Sequence, residues 1–167
     1  KIDSLLLGEG LKELGDSAFM GCSSLPYVVI PDSIISIAKA AFKDCEKLDS
    51  VLMAEGLTEI KESAFEGCVS LDSLNLPATV SIIEEAAFKN CDSLVWVKVE
   101  YMEPIDIEKS VFEGIDSTAV LQVPKGTKAI YEANVEWSAN FAKIIGGTYR
   151  ITFVSKGGGK AICKLDS

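Results

Sequence analysis

Residues 62–80, ESAFEGCVSLDSLNLPATV, decide how this chain is organised, because the phrase returns. DSAFMGCSSLPYVVIPDSI stands at 16–34, KAAFKDCEKLDSVLMAEGL at 39–57 and EAAFKNCDSLVWVKVEYME at 85–103. Phe19, Phe42, Phe65 and Phe88 follow one another at intervals of 23 residues. Cys22, Cys45, Cys68 and Cys91 keep the same interval, as do Leu25, Leu48, Leu71 and Leu94. Leu74 and Leu76 flank Asn75, so the end of LDSLNLP alternates with period two and reads as a short strand. Pro31 and Pro77 stop two of these strands where a missing N–H does least harm. The AF-x-x-C segment suits one helical or 3-10 turn on the opposite wall. A single coil of this kind buries neither of its faces, so coils must stack. Phe65 and Cys68 then fill the core from the convex side, and Leu71, Leu74 and Leu76 from the strand side.

A second period lies over the first. GEGL at 8–11 matches AEGL at 54–57, and PDSI at 31–34 matches PATV at 77–80, which gives a 46-residue super-repeat. Beyond residue 101 the pattern decays. Ile107, Val111, Phe112 and Ile115 keep it with a one-residue shift, and Ile115 stands where cysteine stood. AVLQVP, 119–124, is a last strand. In the segment 125–147, Thr127 is a candidate cap for a short helix running to Ala133. Trp137, Phe141, Ile144 and Ile145 have the spacing to cover the open end of the stack. The expected organisation is a 1–124 array of about five coils, a 125–147 cap, and a 148–167 segment that is a strand or the start of another unit.

Composition narrows the functional classes. The 167 residues carry a net charge of −9, and 48% of them are hydrophobic, enough for a sizeable core. The acidity argues against nucleic acid and anionic lipid surfaces. There is no histidine, which removes the commonest general base, the commonest metal ligand and every Ser-His or Cys-His pair. No apolar run is long enough to span a bilayer.

With these residues on the page, the consensus L-x-x-L-x-L-P-x-x-L-x-x-I-x-x-x-A-F-x-x-C-x-x-L resembles the BspA-like, or treponemal-type, leucine-rich repeats of bacterial surface proteins. Residues 71–94 carry one whole copy, and 121–147 resemble the segment that closes such arrays. The resemblance implies an α/β-type leucine-rich repeat solenoid with a parallel sheet on its concave face. It implies a secreted or cell-surface protein that adheres to host proteins or other cells, or carries other domains. It supplies no catalytic residues and no cofactor, so the chain is not expected to be an enzyme. The start in mid-pattern is read as a piece of a longer protein. YRITFVSKGGG, 149–159, resembles the opening of a Listeria–Bacteroides type β-grasp repeat; a last strand or an added hairpin fits it as well. Gly157, Gly158 and Gly159 make no phosphate loop, because no Gly-Lys-Ser or Gly-Lys-Thr follows them.

Three features are weighed as chemistry. The repeated cysteines lie between core phenylalanine and core leucine, and buried cysteine behaves as a small hydrophobe, so free thiols are expected rather than disulfides or zinc. Cys163 stands alone in the tail as a candidate reactive thiol. The acidic pairs Glu59/Glu62 and Glu84/Glu85 fall near corners, where a solvated face is expected rather than calcium or glycosidase chemistry. The outward strand positions are the best candidate for a site. They read Tyr27 and Val29, Ser50 and Leu52, Ser73 and Asn75, Trp96 and Lys98. Tyr27, Val29, Leu52, Asn75, Trp96 and Lys98 are therefore expected to be exposed on the curved face and to bind a host protein or glycan. The alternative is a rigid spacer that presents other domains.

Overall fold

The computed structural model describes residues 5–8, 10–147, 150–156 and 160–166, the last two stretches by backbone alone. In chain order the first strands are β1 (Leu5–Leu6), β2 (Tyr27–Ile30), β3 (Ser36–Ile37), β4 (Ser50–Met53), β5 (Glu59–Ile60), β6 (Ser73–Leu76), β7 (Ile82–Ile83) and β8 (Trp96–Val99). A 3-10 helix, Lys109–Phe112, precedes β9 (Val120–Val123), α1 (Lys128–Ala133), α2 (Val135–Ser138) and β10 (Lys143–Gly146). The strands β11 (Arg150–Lys156) and β12 (Lys160–Asp166) form an antiparallel hairpin. Gly157, Gly158 and Gly159 lie outside the described residues, as does the side chain of Cys163.

The repeat coils into a parallel solenoid. β1, β2 and β4 pair in that order, and β6, β8, β9 and β10 continue along the same wall. β4 and β6 are neighbours, but no ladder joins them. A second parallel sheet, β3–β5–β7, forms at the corner where Ile37, Ile60 and Ile83 turn inward. Sequence spacing found those three isoleucines but not their strands, since two residues show no periodicity. Strands β2 and β6 end immediately before Pro31 and Pro77.

The core is a set of ladders. Phe19, Phe42, Phe65, Phe88 and Phe112 stack with ring centroids 5.3–5.5 Å apart and nearly parallel planes. Leu71, Leu74, Leu76, Phe65 and Cys68 are all buried, as the alternation requires. The thiols also form a ladder. Cys45 Sγ donates to the Phe19 carbonyl at 3.1 Å, Cys68 to Phe42 at 3.2 Å and Cys91 to Phe65 at 3.3 Å. Each thiol points to a carbonyl of the preceding coil, and Cys22, Cys45, Cys68 and Cys91 are all free.

The convex wall departs in detail from the expected helical turn. Among the described residues only the last coil forms a 3-10 helix there. In the others, left-handed residues recur two before and two after each phenylalanine: Ser17 and Gly21, Ala40 and Asp44, Ser63 and Gly67, Ala86 and Asn90. Left-handed residues break a right-handed helix and turn alternate N–H groups sideways. Those groups bond the next coil: Ala40, Phe42 and Asp44 donate to the carbonyls of Glu62, Ala64 and Glu66 at 2.8–2.9 Å. Ser63, Phe65 and Gly67 donate onward to Glu85, Ala87 and Lys89 at 2.8–3.0 Å. The one-residue shift in the last coil changes one rung, where the Ala86 N–H meets the Ser110 hydroxyl at 3.3 Å.

After β9, helices α1 and α2 and strand β10 pack against the last coil. Trp137 is fully buried, edge-on to Tyr131 and tilted against Phe112, and its Nε1–H donates to the Ile105 carbonyl at 2.8 Å. Phe141 meets Phe112 edge-on. The α1 boundary falls where expected, but Thr127 does not cap it with its side chain. Its hydroxyl donates back to the Pro124 carbonyl at 2.9 Å, because its backbone is already helical and turns the side chain away from the helix start. Asn134 is the side-chain cap, accepting from the Trp137 N–H at 3.0 Å. Ile144 and Ile145 do not merely cover the end; they belong to β10, which pairs with β9 in parallel.

Candidate functional site: the concave strand face

Strand register arranges the outward side chains in two rows. One runs Tyr27, Ser50, then Ser73, Trp96, Val120 and Lys143. The other runs Leu6, Val29, Leu52, then Asn75, Lys98 and Gln122. Leu6, at 73% exposed, and Leu52, at 56%, stand out from the face, with Val29 half-buried between them. Tyr27 is half-buried, Asn75 exposed and Lys98 half-buried.

Trp96 corrects the expectation of an exposed aromatic: it is 2% exposed. It stands between Ser73 and Val120 in the row. A short serine on one side leaves room for a large ring to lie against the sheet instead of standing clear of it. Its Nε1–H is buried without a partner. A covered indole offers no open face on which a sugar ring can stack.

Three hollows follow the rows. Val29, Leu52, Ile30, Met53 and Ala54 line one of about 670 Å³ near the apolar end, together with the turn at Pro31–Ser33. A hollow of about 220 Å³ lies at the unladdered seam between β4 and β6, walled by Ser50, Val51, Ser73, Asn75, Trp96 and Lys98. The third, about 360 Å³, reaches the cap between Lys98, Met102, Gln122 and Lys125. Lys98 donates to Glu100 at 2.6 Å. Gln122 is buried and its amide donates to the Gly147 carbonyl at 2.8 Å. Asp49 and Asp72 precede β4 and β6 at the same repeat position; desolvation, and then the charge of Asp72, raise the Asp49 carboxyl above its usual range.

Sequence reasoning missed Leu6, Gln122 and Lys143. Leu6 was within reach, since it sits 23 residues before Val29. Lys143 was not, because the strand that carries it follows two helices and breaks the period.

The other candidates hold the coils together. Glu62 pairs with Lys39 at 2.7 Å, Glu59 accepts from the Ser36 hydroxyl at 2.9 Å, and Glu84 accepts from the Glu62 N–H at 2.8 Å. These carboxylates bridge successive coils instead of converging on one point. Among the described residues no cluster of three acidic or cysteine side chains is placed to hold a metal ion.

The family model for the BspA type leucine rich repeat region matches residues 12–142 in six copies, and the chain belongs to that family. Among solved structures, a leucine rich cell surface protein from Faecalibacterium prausnitzii superposes with a TM-score of 0.61 at 25% identity, over 90% of this chain and 33% of its own. The leucine rich repeat protein of Treponema pallidum gives 0.64 at 25% identity, over 86% and 70%. The pneumococcal vaccine antigen PcpA gives 0.67 at 20% identity, over 88% and 42%, a likeness of fold. The chain thus spans a third of the length of the Faecalibacterium protein. No curated protein matches.

Proposed function

We propose that this solenoid is an adhesin-like interaction module of a cell-surface or secreted protein, and that it binds a partner protein on its concave face. One observation carries the reading. The outward positions of β2, β4, β6, β8 and β9 are Tyr27, Val29, Ser50, Leu52, Ser73, Asn75, Trp96, Lys98, Val120 and Gln122, with no carboxylate and one cation. The chain as a whole holds 25 acidic residues. Depletion of charge with retention of Tyr, Leu and Val is what the centre of a protein interface requires, because charged groups are costly to desolvate. The description of the Faecalibacterium protein as a cell surface protein supports a surface location. The family is one of leucine rich repeats and the Faecalibacterium neighbour is described as a cell surface protein, and no catalytic role is proposed.

The test is binding of the purified chain to an array of extracellular proteins and glycans, beside Tyr27→Ala and Leu52→Asp variants. Selective binding to a protein, lost in both variants, is the expected result. Binding unaffected by Leu52→Asp would sink the concave-face reading. The stacked phenylalanines and bonded convex wall favour a second reading, a stiff spacer, for which the array would show no binding by any version.

A further inference from the structure

We infer that the concave face takes an extended acidic–apolar peptide segment of its partner, laid across the strands along the solenoid axis. The inference rests on the interaction reading above and adds the chemistry and direction of the occupant.

The face is polarised. At one end Leu6, Val29 and Leu52 make an in-register apolar stripe across β1, β2 and β4, beside Tyr27 and the 670 Å³ hollow. At the other end Lys98 on β8 and Lys125, just past β9, line one hollow together with Glu100, and Lys143 stands on β10 in register with Val120. Glu100 accepts a hydrogen bond from one N–H of the Lys98 ammonium, which leaves two donors on that group. The change from apolar to basic falls at the seam between β4 and β6, where the 220 Å³ hollow meets Trp96. The Trp96 indole can only donate, it has no partner, and an unmet buried donor is costly. The Asn75 amide and the Ser50 hydroxyl share that hollow, whereas the Ser73 hydroxyl there already donates to the Asp72 carboxylate at 2.8 Å; no carboxylate lines the hollow itself.

Donor groups converging beside the Lys98 ammonium call for an acceptor anion. A carboxylate side chain of the partner fills that role; the adjacent stripe takes an apolar side chain. From Leu52 on β4 to Lys98 on β8 is two strand spacings, about 10 Å, or about three residues of extended chain. The occupant therefore carries an apolar residue and an Asp or Glu about three positions apart. The Trp96 N–H is closed to water in the free protein, so occupancy requires the neighbouring side chains to swing aside, a rotamer-scale change.

The experiment selects random linear octapeptides on the purified chain, then measures the enriched peptides against Lys98→Glu/Lys143→Glu, against Lys143→Glu alone and against Leu52→Asp. The expected peptides pair an apolar residue with an acidic one at that spacing. Their affinity falls about tenfold or more in the double charge reversal. Replacing the peptide's Glu by Lys restores binding to that variant. In the ¹⁵N spectrum the Trp96 indole resonance moves on binding and that of Trp137 stays. No enrichment, enrichment of apolar or basic peptides alone, or indifference to both charge reversals would overturn the inference. An array partner lost on Leu52→Asp but indifferent to Lys98→Glu/Lys143→Glu would overturn it while leaving the interaction module standing.

Discussion

Single residues carry the repeat's chemistry, and the thiols show it most directly. Burial pushes Cys45 up to about 11 and Cys91 up to about 12, and raises Cys68 further still. Because these pKa values are raised in the fold, the unfolded chain releases protons first as pH climbs. Stability is therefore intact below about pH 8.5, the ordinary thiol value, and falls above it by about 1 kcal/mol per pH unit for each buried thiol. Urea midpoints between pH 7 and 10 should fall, and Cys68→Ala should flatten the trend. The paired lysines Lys39 and Lys43 have raised values of their own, so their loss lies above that window. Alkylation of the native protein should reach half-buried Cys22 and spare Cys45, Cys68 and Cys91; peptide mapping reads each site separately. The residue before each cysteine obeys another rule. It reads Gly21, Asp44, Gly67 and Asn90, residues that tolerate left-handed backbone. A methyl group on Gly67 would run into the Asp44 carboxylate, whereas one on Gly21 meets nothing. Gly21→Ala should cost about 1–2 kcal/mol for backbone alone. Gly67→Ala should cost more, and adding Asp44→Gly should recover the excess, as a double-mutant cycle in urea would show. That contact also accounts for part of the 46-residue period: a side chain in one coil occupies the space that glycine leaves in the next.

Among elements, the ring stack and the cap differ in how visible they were. Phe65→Ala removes a fully buried ring with a neighbour on each side, and should cost about 3–5 kcal/mol. Phe19→Ala, half-buried with a neighbour on one side, should cost distinctly less in the same denaturation experiment. Asn134→Ala removes the cap of α2 and should cost about 1 kcal/mol. The coils were legible because Phe, Cys and Leu return at one interval, and a period is long-range information written locally. The second sheet was not, since two-residue strands leave no alternation to read. β10 was not, since its pairing with β9 is made by tertiary contact after two helices. Thr127 was misleading for a simpler reason: sequence named a good capping residue, but backbone angle decides where its hydroxyl goes.

At the level of the molecule, the solenoid itself followed from the repeat, while the site was only partly legible. Alternation correctly set which residues face outward, and register then placed Leu6 beside Val29. Alternation says nothing of how far a side chain stands from the sheet, which is why Trp96 lies buried while Leu52 projects. Leu52 is more than half exposed, so Leu52→Asp should leave the thermal midpoint nearly unchanged while affecting binding. That separation of stability from recognition is measurable by calorimetry beside the binding array. The convex wall adds a property that no single coil has. Every rung runs the same way, N–H toward the following coil and C=O toward the preceding one. Lys39, Ala41 and Lys43 accept from Ser17, Phe19 and Gly21, and Glu62, Ala64 and Glu66 accept from Ala40, Phe42 and Asp44 in the same sense. The wall thus has a polarity, a vector along the axis that each coil repeats.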